Sequence, residues 1–230
     1  MIKGIMFDMG GTLVDFAFKE DPSYVLYEHI EDKTIEKEEF VDFVSRLVKD
    51  TLDKRTTFDI SFSSFLNAIL RYFNTSIDIP LEEMEIIYEK TLLEHTLIEN
   101  VVPLLEECKK EGLKLIVLSN TFFSTNAISK ILEEFDLLKY FDKVIASSDC
   151  LVRKPSTLFF EMGIKEMGLN KKEIMYIGND YNFDCVGCMM TGIPIIFYNR
   201  KHYQEYELFE TIKEIKDYDE LLGVEICKIF

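Results

Sequence analysis

The sequence predicts an α/β protein: a Rossmann-like parallel sheet core, interrupted after its first strand by an all-helical insertion. Two observations carry this. From Val101 onward, short continuous apolar runs alternate with stretches of helical period, as in a parallel sheet covered on both faces. Residues 16 to 98, in contrast, repeat their apolar residues at helical spacing and hold no convincing strand. A chain of 230 residues can hold both a core and an insertion. The expected division is a core of residues 1–15 and 99–230 and a helical domain of residues 16–98.

Ile2 to Phe7 reads as a buried strand that ends in Asp8 and a glycine pair, "FDMGGTLVD". Four helical stretches follow: "YVLYEHIEDK", "EEFVDFVSRLVKDTLDKR", "SFLNAILRYF" and "LEEMEIIYEKTLLEH". In the second, Glu38, Glu39 and Asp42 come early and Lys49, Lys54 and Arg55 late, which suits the helix dipole. Pro80 begins the fourth. Phe58, Phe62, Phe65, Tyr72 and Phe73 read as the core of this bundle. Next come a helix "PLLEECKKEG" closed by Gly112, a strand "LKLIVLS", a helix "NAISKILEEF" and a strand "KVIASS". The series ends with a helix "TLFFEMGIKEMG" closed by Gly168, a strand "EIMYIG", a helix "DCVGCMMTG" and a strand "IPIIFY".

Composition narrows the function. The chain is 47% hydrophobic and 30% charged, enough for a real core. A formal net charge of -16 argues against nucleic acid or an anionic membrane as partner. Asp8 interrupts the apolar N-terminal stretch, so no signal peptide is expected, and nothing approaches the roughly 18 apolar residues of a membrane span. Five cysteines, an odd number, suit reduced thiols in the cytoplasm. Cys185 and Cys188 form a Cys-x-x-Cys pair, but zinc would want a second pair, so a packing role is expected.

Ligands of an open parallel sheet bind at the carboxyl ends of its strands. Those ends carry Asp8, then Ser119 and Asn120, then Ser148 and Asp149, then Gly178, Asn179 and Asp180, with Lys154 close by. Asp8, Asp180 and Asp184 offer the hard oxygen ligands that Mg²⁺ prefers beside a phosphate. Thr12, Ser119 and Lys154 supply hydroxyls and a positive charge for that phosphate. A carboxylate nucleophile opens an aspartyl-phosphate route.

With these residues in order, the chain resembles the haloacid dehalogenase superfamily of hydrolases over nearly its whole length. "FDMGGTLVD" is similar to the first motif, with Asp8 as nucleophile and Thr12 as phosphate contact. "VLSNT" is similar to the second, through Ser119 and Asn120, and "VRKPSTLFF" to the third, through Lys154. "YIGNDYNFDCVGC" resembles the fourth. The insertion matches the helical cap of one large branch. The resemblance implies a Mg²⁺-dependent phosphatase acting on a small phosphorylated metabolite, with Asp8 and Lys154 catalytic. It also implies phosphate contacts at Thr12, Ser119, Asn120 and Lys154, and a metal set of Asp8, Gly10, Asp180 and Asp184.

Two positions depart from that pattern. The family's phosphatases carry an acid two residues after the nucleophile, where this chain has Gly10, and the fourth motif has Asn179 between Gly178 and Asp180. General acid-base help is worth about 10²–10⁴ in rate, so its loss favours leaving groups that need no proton. Phosphoryl transfer ranks first, 2-haloacid dehalogenation second, and phosphonate cleavage, which needs a lysine such as Lys49 or Lys54, third. A pseudoenzyme that binds a phosphate ligand is the non-catalytic alternative. His95 and Asp15 are the candidates to replace the missing acid.

Overall fold

A computed structural model describes residues 1–51, 56–200 and 210–230. Its core is a six-stranded sheet in the order β5-β4-β1-β6-β7-β8, every pairing parallel. The strands are β1 (Gly4–Phe7), β4 (Lys114–Ser119), β5 (Lys143–Ala146), β6 (Ile174–Gly178), β7 (Ile195–Tyr198) and β8 (Ile212–Ile215). Their side chains alternate between two cores. Ile5, Phe7, Leu115 and Val117 join one, while Met6, Ile116 and Leu118 join the other. The first core takes in the buried faces of α5 (Val101–Lys110) and α6 (Thr125–Glu134). The second is closed by α8 (Thr157–Met167) and α9 (Val186–Thr191). A β-carbon on Gly187 would lie 2.2 Å from the Phe160 ring, so α8 and α9 meet at a distance only glycine permits. Cys185 and Cys188 are buried there as free thiols, in the packing role expected.

The insertion carries four helices, α1 (Ser23–His29), α2 (Lys37–Thr51), α3 (Phe62–Phe73) and α4 (Leu81–Leu92). Its two connections to the core are not helical. β2 (Val14–Phe18) and β3 (Leu93–Leu97) pair antiparallel, from Val14 opposite Leu97 to Phe18 opposite Leu93. This corrects the expectation of a strand-free stretch. β3 follows α4 without a breaker, so its five residues read as a continued helix. On the far side the insertion is tied back by the Phe62 amide to the Phe122 carbonyl at 3.0 Å. Glu85 there accepts both the amide and the hydroxyl of Ser124 at 2.7 Å. Phe62 and Phe65 are buried as predicted, but Phe58 and Tyr72 are mostly exposed. β8 was also unforeseen, being a short edge strand in a charged stretch. Among the described residues no helix is long and apolar enough to cross a membrane.

Candidate functional site

The sheet runs outward from β1 in both directions, β4 on one side and β6 on the other. The loops after these three strands therefore diverge and leave a crevice at their carboxyl ends. Asp8 stands at its centre, only 7% exposed. Lys154, 1% exposed, donates to Asp8 Oδ1 at 2.6 Å, to Asp184 Oδ1 at 2.7 Å and to the Tyr176 hydroxyl at 2.8 Å. All three ammonium donors are engaged. Burial raises the Asp8 carboxyl to about 6, with Lys154 pulling the other way. Burial also works against the Lys154 charge, but Asp184 and Asp8 outweigh it and hold the ammonium above its ordinary value. The pair is thus an ionised couple with its charges fixed in place.

The sequence foresaw which residues gather here but not every role. Asn120 accepts from the Lys154 amide at 2.8 Å and donates to the Lys154 carbonyl at 3.0 Å. Both halves of its amide group clamp the loop that carries the lysine. Ser119 lines the cavity, and its hydroxyl makes no hydrogen bond among the described residues. Thr12 is fully buried and lies 3.2 Å from Asp8 Oδ2. Ser148 and Asp149 fall in a helical turn, α7 (Ser147–Cys150), past the end of β5. They tie down the neighbouring loop, Ser148 by donating to the Phe123 carbonyl and Asp149 by accepting from the Thr125 amide.

The predicted metal acids are occupied. Asp184 gives Oδ1 to Lys154 and accepts the Asn179 and Asp180 amides on Oδ2 at 3.0 and 2.9 Å. A β-carbon on Gly178 would lie 2.5 Å from that oxygen, so glycine is required there. Asp180 accepts the Phe183 amide and so caps a π-helical turn, Tyr181–Cys185. Among the described residues no cluster of three His, Cys, Asp or Glu side chains is set to hold a metal. The group that does face Asp8 is Asn179, which the sequence reading treated only as an interruption. Its carboxamide end lies 3.2 Å from Asp8 Oδ2, 3.0 Å from the Gly10 carbonyl and 3.2 Å from the Thr12 hydroxyl. With Oδ1 inward, acceptors face acceptors, an arrangement a cation would satisfy. With Nδ2 inward, the amide donates to all three without one.

Gly11 and Gly10 differ. Gly11 has φ +78°, and a β-carbon on it would strike the Asn179 carboxamide at 2.3 Å. Gly10 has no such backbone need; its β-carbon would meet only the Phe16 ring, at 3.0 Å. The other acid candidates have partners of their own. Asp15 pairs with Arg200 at 2.7 Å, and His95 faces Glu89 at 3.3 Å. Both line the cavity, which Lys49 does not; Lys54 and Arg55 lie outside the described residues.

The sheet order and the lysine-bound carboxylate define an α/β protein with its site at the carboxyl edge of a parallel sheet. The chain belongs to the haloacid dehalogenase-like hydrolase family, whose profile matches residues 2–188, and is a hydrolase. It is similar to a glyceraldehyde 3-phosphate phosphatase of Methanocaldococcus jannaschii, 26% identical over 90% of this chain and 89% of that one. The fold is similar to that of a phosphatase of the family from Thermococcus onnurineus, with TM-score 0.65, 24% identity and 96% of each chain covered. It is also similar to that of a 2-haloacid dehalogenase from Pseudomonas syringae, with TM-score 0.63, 17% identity and 96% of each chain covered.

Proposed function

We propose that the chain is a Mg²⁺-dependent phosphatase that cleaves a small phosphorylated compound through an aspartyl-phosphate on Asp8. The observation that carries this is the meeting of Asp8 Oδ2, the Gly10 carbonyl and the Asn179 carboxamide within 3.0–3.2 Å. Cis ligands of an octahedral Mg²⁺ with bonds of about 2.1 Å lie roughly 3.0 Å apart. Charge supports the same reading. Asp8, Lys154 and Asp184 sum to one negative charge, which repels a phosphate dianion unless a cation is present. Asp8, Gly10 and Asn179 would hold that cation, with Asp180 at the rim in place of the buried Asp184. When bound, Mg²⁺ would neutralise phosphate charge as it builds up in the transition state.

The protein's own groups do the rest. In this reading Lys154 holds Asp8 ionised, the Ser119 hydroxyl at the cavity lining donates to a phosphate oxygen, and the buried Thr12 hydroxyl supports the Asp8 carboxylate. A carboxylate oxygen of Asp8 forms a bond to phosphorus while the ester P–O bond breaks, its electron pair leaving with the ester oxygen, which takes a proton from water. A second water hydrolyses the acyl phosphate and returns Asp8. Residues 16–98 serve in this reading as a cap over the site.

The turned carboxamide favours a second reading. With Nδ2 inward the site needs no cation, and halide needs no proton to leave, as 2-haloacid dehalogenation requires. Aryl phosphate and 2-chloropropionate, each assayed with Mg²⁺ and with excess chelator, separate the two. Phosphate release that chelator abolishes and Asp8→Asn reduces by about 10⁴-fold or more is expected. Chelator-resistant halide release would replace the first reading with the second. No turnover, with phosphate still raising the melting temperature, would mark a binding protein.

A further inference from the structure

The cavity above Asp8 measures about 650 Å³, inside the range of roughly 300–1,000 Å³ that suits drug-sized ligands. A three-carbon phosphate would leave most of it empty. Away from the floor its wall is apolar, built from Phe16 and Phe18 of β2, Tyr88 of α4, Phe122 and Phe123 of the loop before α6, and Ile131 of α6. Phe16 and Phe18 are 49% and 76% exposed and meet edge to face, so two rings stand open along the path to Asp8. Polar side chains that reach the same wall already have protein partners: Asp15 has Arg200, His95 has Glu89, and Arg153 lies over the Phe183 ring and beside Asp59. A substrate rich in hydroxyls would find few groups to match them, and each hydroxyl buried there without a partner costs desolvation. The room next to Gly10, where the family resemblance expects a proton donor, is covered by the Phe16 ring.

We propose that the substrate is a phosphate monoester whose body is aromatic or comparably apolar, seated against Phe16, Phe18 and Phe123, and not a hydroxylated three-carbon phosphate. This rests on the phosphatase reading for its chemistry and on the cavity wall for its specificity.

Ethyl phosphate and 2-phenylethyl phosphate separate the two, since their leaving groups have similar basicity and differ in the ring. With Mg²⁺ present, kcat/KM is expected to be at least about 30-fold higher for the phenylethyl ester, the gain from burying one ring. Phe16→Ala should shrink that ratio several-fold. Equal values for the two esters, or a preference for glyceraldehyde 3-phosphate, overturn the proposal. The matching phosphonates, which bind without being cleaved, are compared by calorimetry in parallel. If no ester is cleaved but 2-phenylethylphosphonate binds at least about 10-fold tighter than ethylphosphonate, the phosphatase reading falls and the aromatic pocket stands. Equal or absent binding of the two phosphonates removes the aromatic pocket.

Discussion

The two ends of the cavity follow opposite rules. At the floor, the ammonium of Lys154 and both oxygens of Asp184 are engaged in short bonds to other floor groups. At the wall, aromatic rings stand open and the few polar groups turn back toward the protein. A floor of this kind holds its geometry whatever enters, because moving one member leaves a buried partner unpaired. A wall of rings on a two-stranded ribbon can adapt, since apolar contact has no fixed direction. Chemistry and selectivity are thus assigned to separate elements, and substitutions should separate them too.

The largest break is expected at the floor. Lys154→Met leaves Asp8 and Asp184 facing each other without a counter-charge, and stability should fall by about 3–5 kcal/mol along with all turnover. Urea unfolding followed by circular dichroism measures the first effect, and a midpoint unchanged from wild type would refute the engaged-floor picture. Gly10→Asp acts where floor meets wall. In a series of phosphate esters, the wild-type rate should fall steeply as leaving-group pKa rises. The variant should flatten that slope, by up to about 10²-fold for the poorest leaving groups, once the Phe16 ring moves aside. A flat wild-type slope would mean that another group already supplies the proton, with His95 and Asp15 the first to mutate.

Asn179→Asp sharpens the comparison within the floor. Without Mg²⁺ the new carboxylate lies beside Asp8 and should lower the melting temperature. With Mg²⁺ the temperature should rise more than in wild type, reflecting affinity tighter by about 10-fold or more. Identical Mg²⁺ titrations of the two proteins would exclude residue 179 as a ligand. The smallest effect belongs behind the wall, at Glu89, which faces the lining residue His95. Burial, with Glu134 adding to it, raises the Glu89 carboxyl to about 7 from 4.5, above its unfolded value. As pH rises from 4.5 through 7 the unfolded chain loses this proton first, so stability declines over that window and levels off above it. Relative to Glu89→Gln, wild type should lose on the order of 5 °C in melting temperature between pH 5 and pH 8. A difference that stays constant with pH would place the charge of Glu89 in water.

The legible parts of the molecule were those fixed by local pattern. Apolar runs marked five of the six strands of the core sheet, β1, β4, β5, β6 and β7, and the ends of β1, β4 and β6 marked the floor. The ribbon was illegible because five-residue strands with mixed burial carry too little alternation, and β3 borrows its pattern from α4. Asn120 was found but its clamp on the Lys154 loop was not, since spacing gives a position and not the direction in which an amide points. Asn179 was passed over for its acidic neighbours, although its place directly after Gly178 was the available signal. The wall could not be read at all. It is assembled from β2, α4, β3 and α6, which are far apart in sequence and meet only in the fold.

Lys154 is held at both ends, its backbone by Asn120 and its ammonium by three acceptors. A free lysine side chain would lose about 2 kcal/mol of rotamer entropy on being fixed. Here that ordering happens when the chain folds, so an arriving substrate meets a nucleophile whose counter-charge has no freedom left to surrender. Readiness built in this way depends on order more than on the number of charges. In a chain of net charge -16, one fixed ammonium is enough to keep a buried carboxylate ionised and in place.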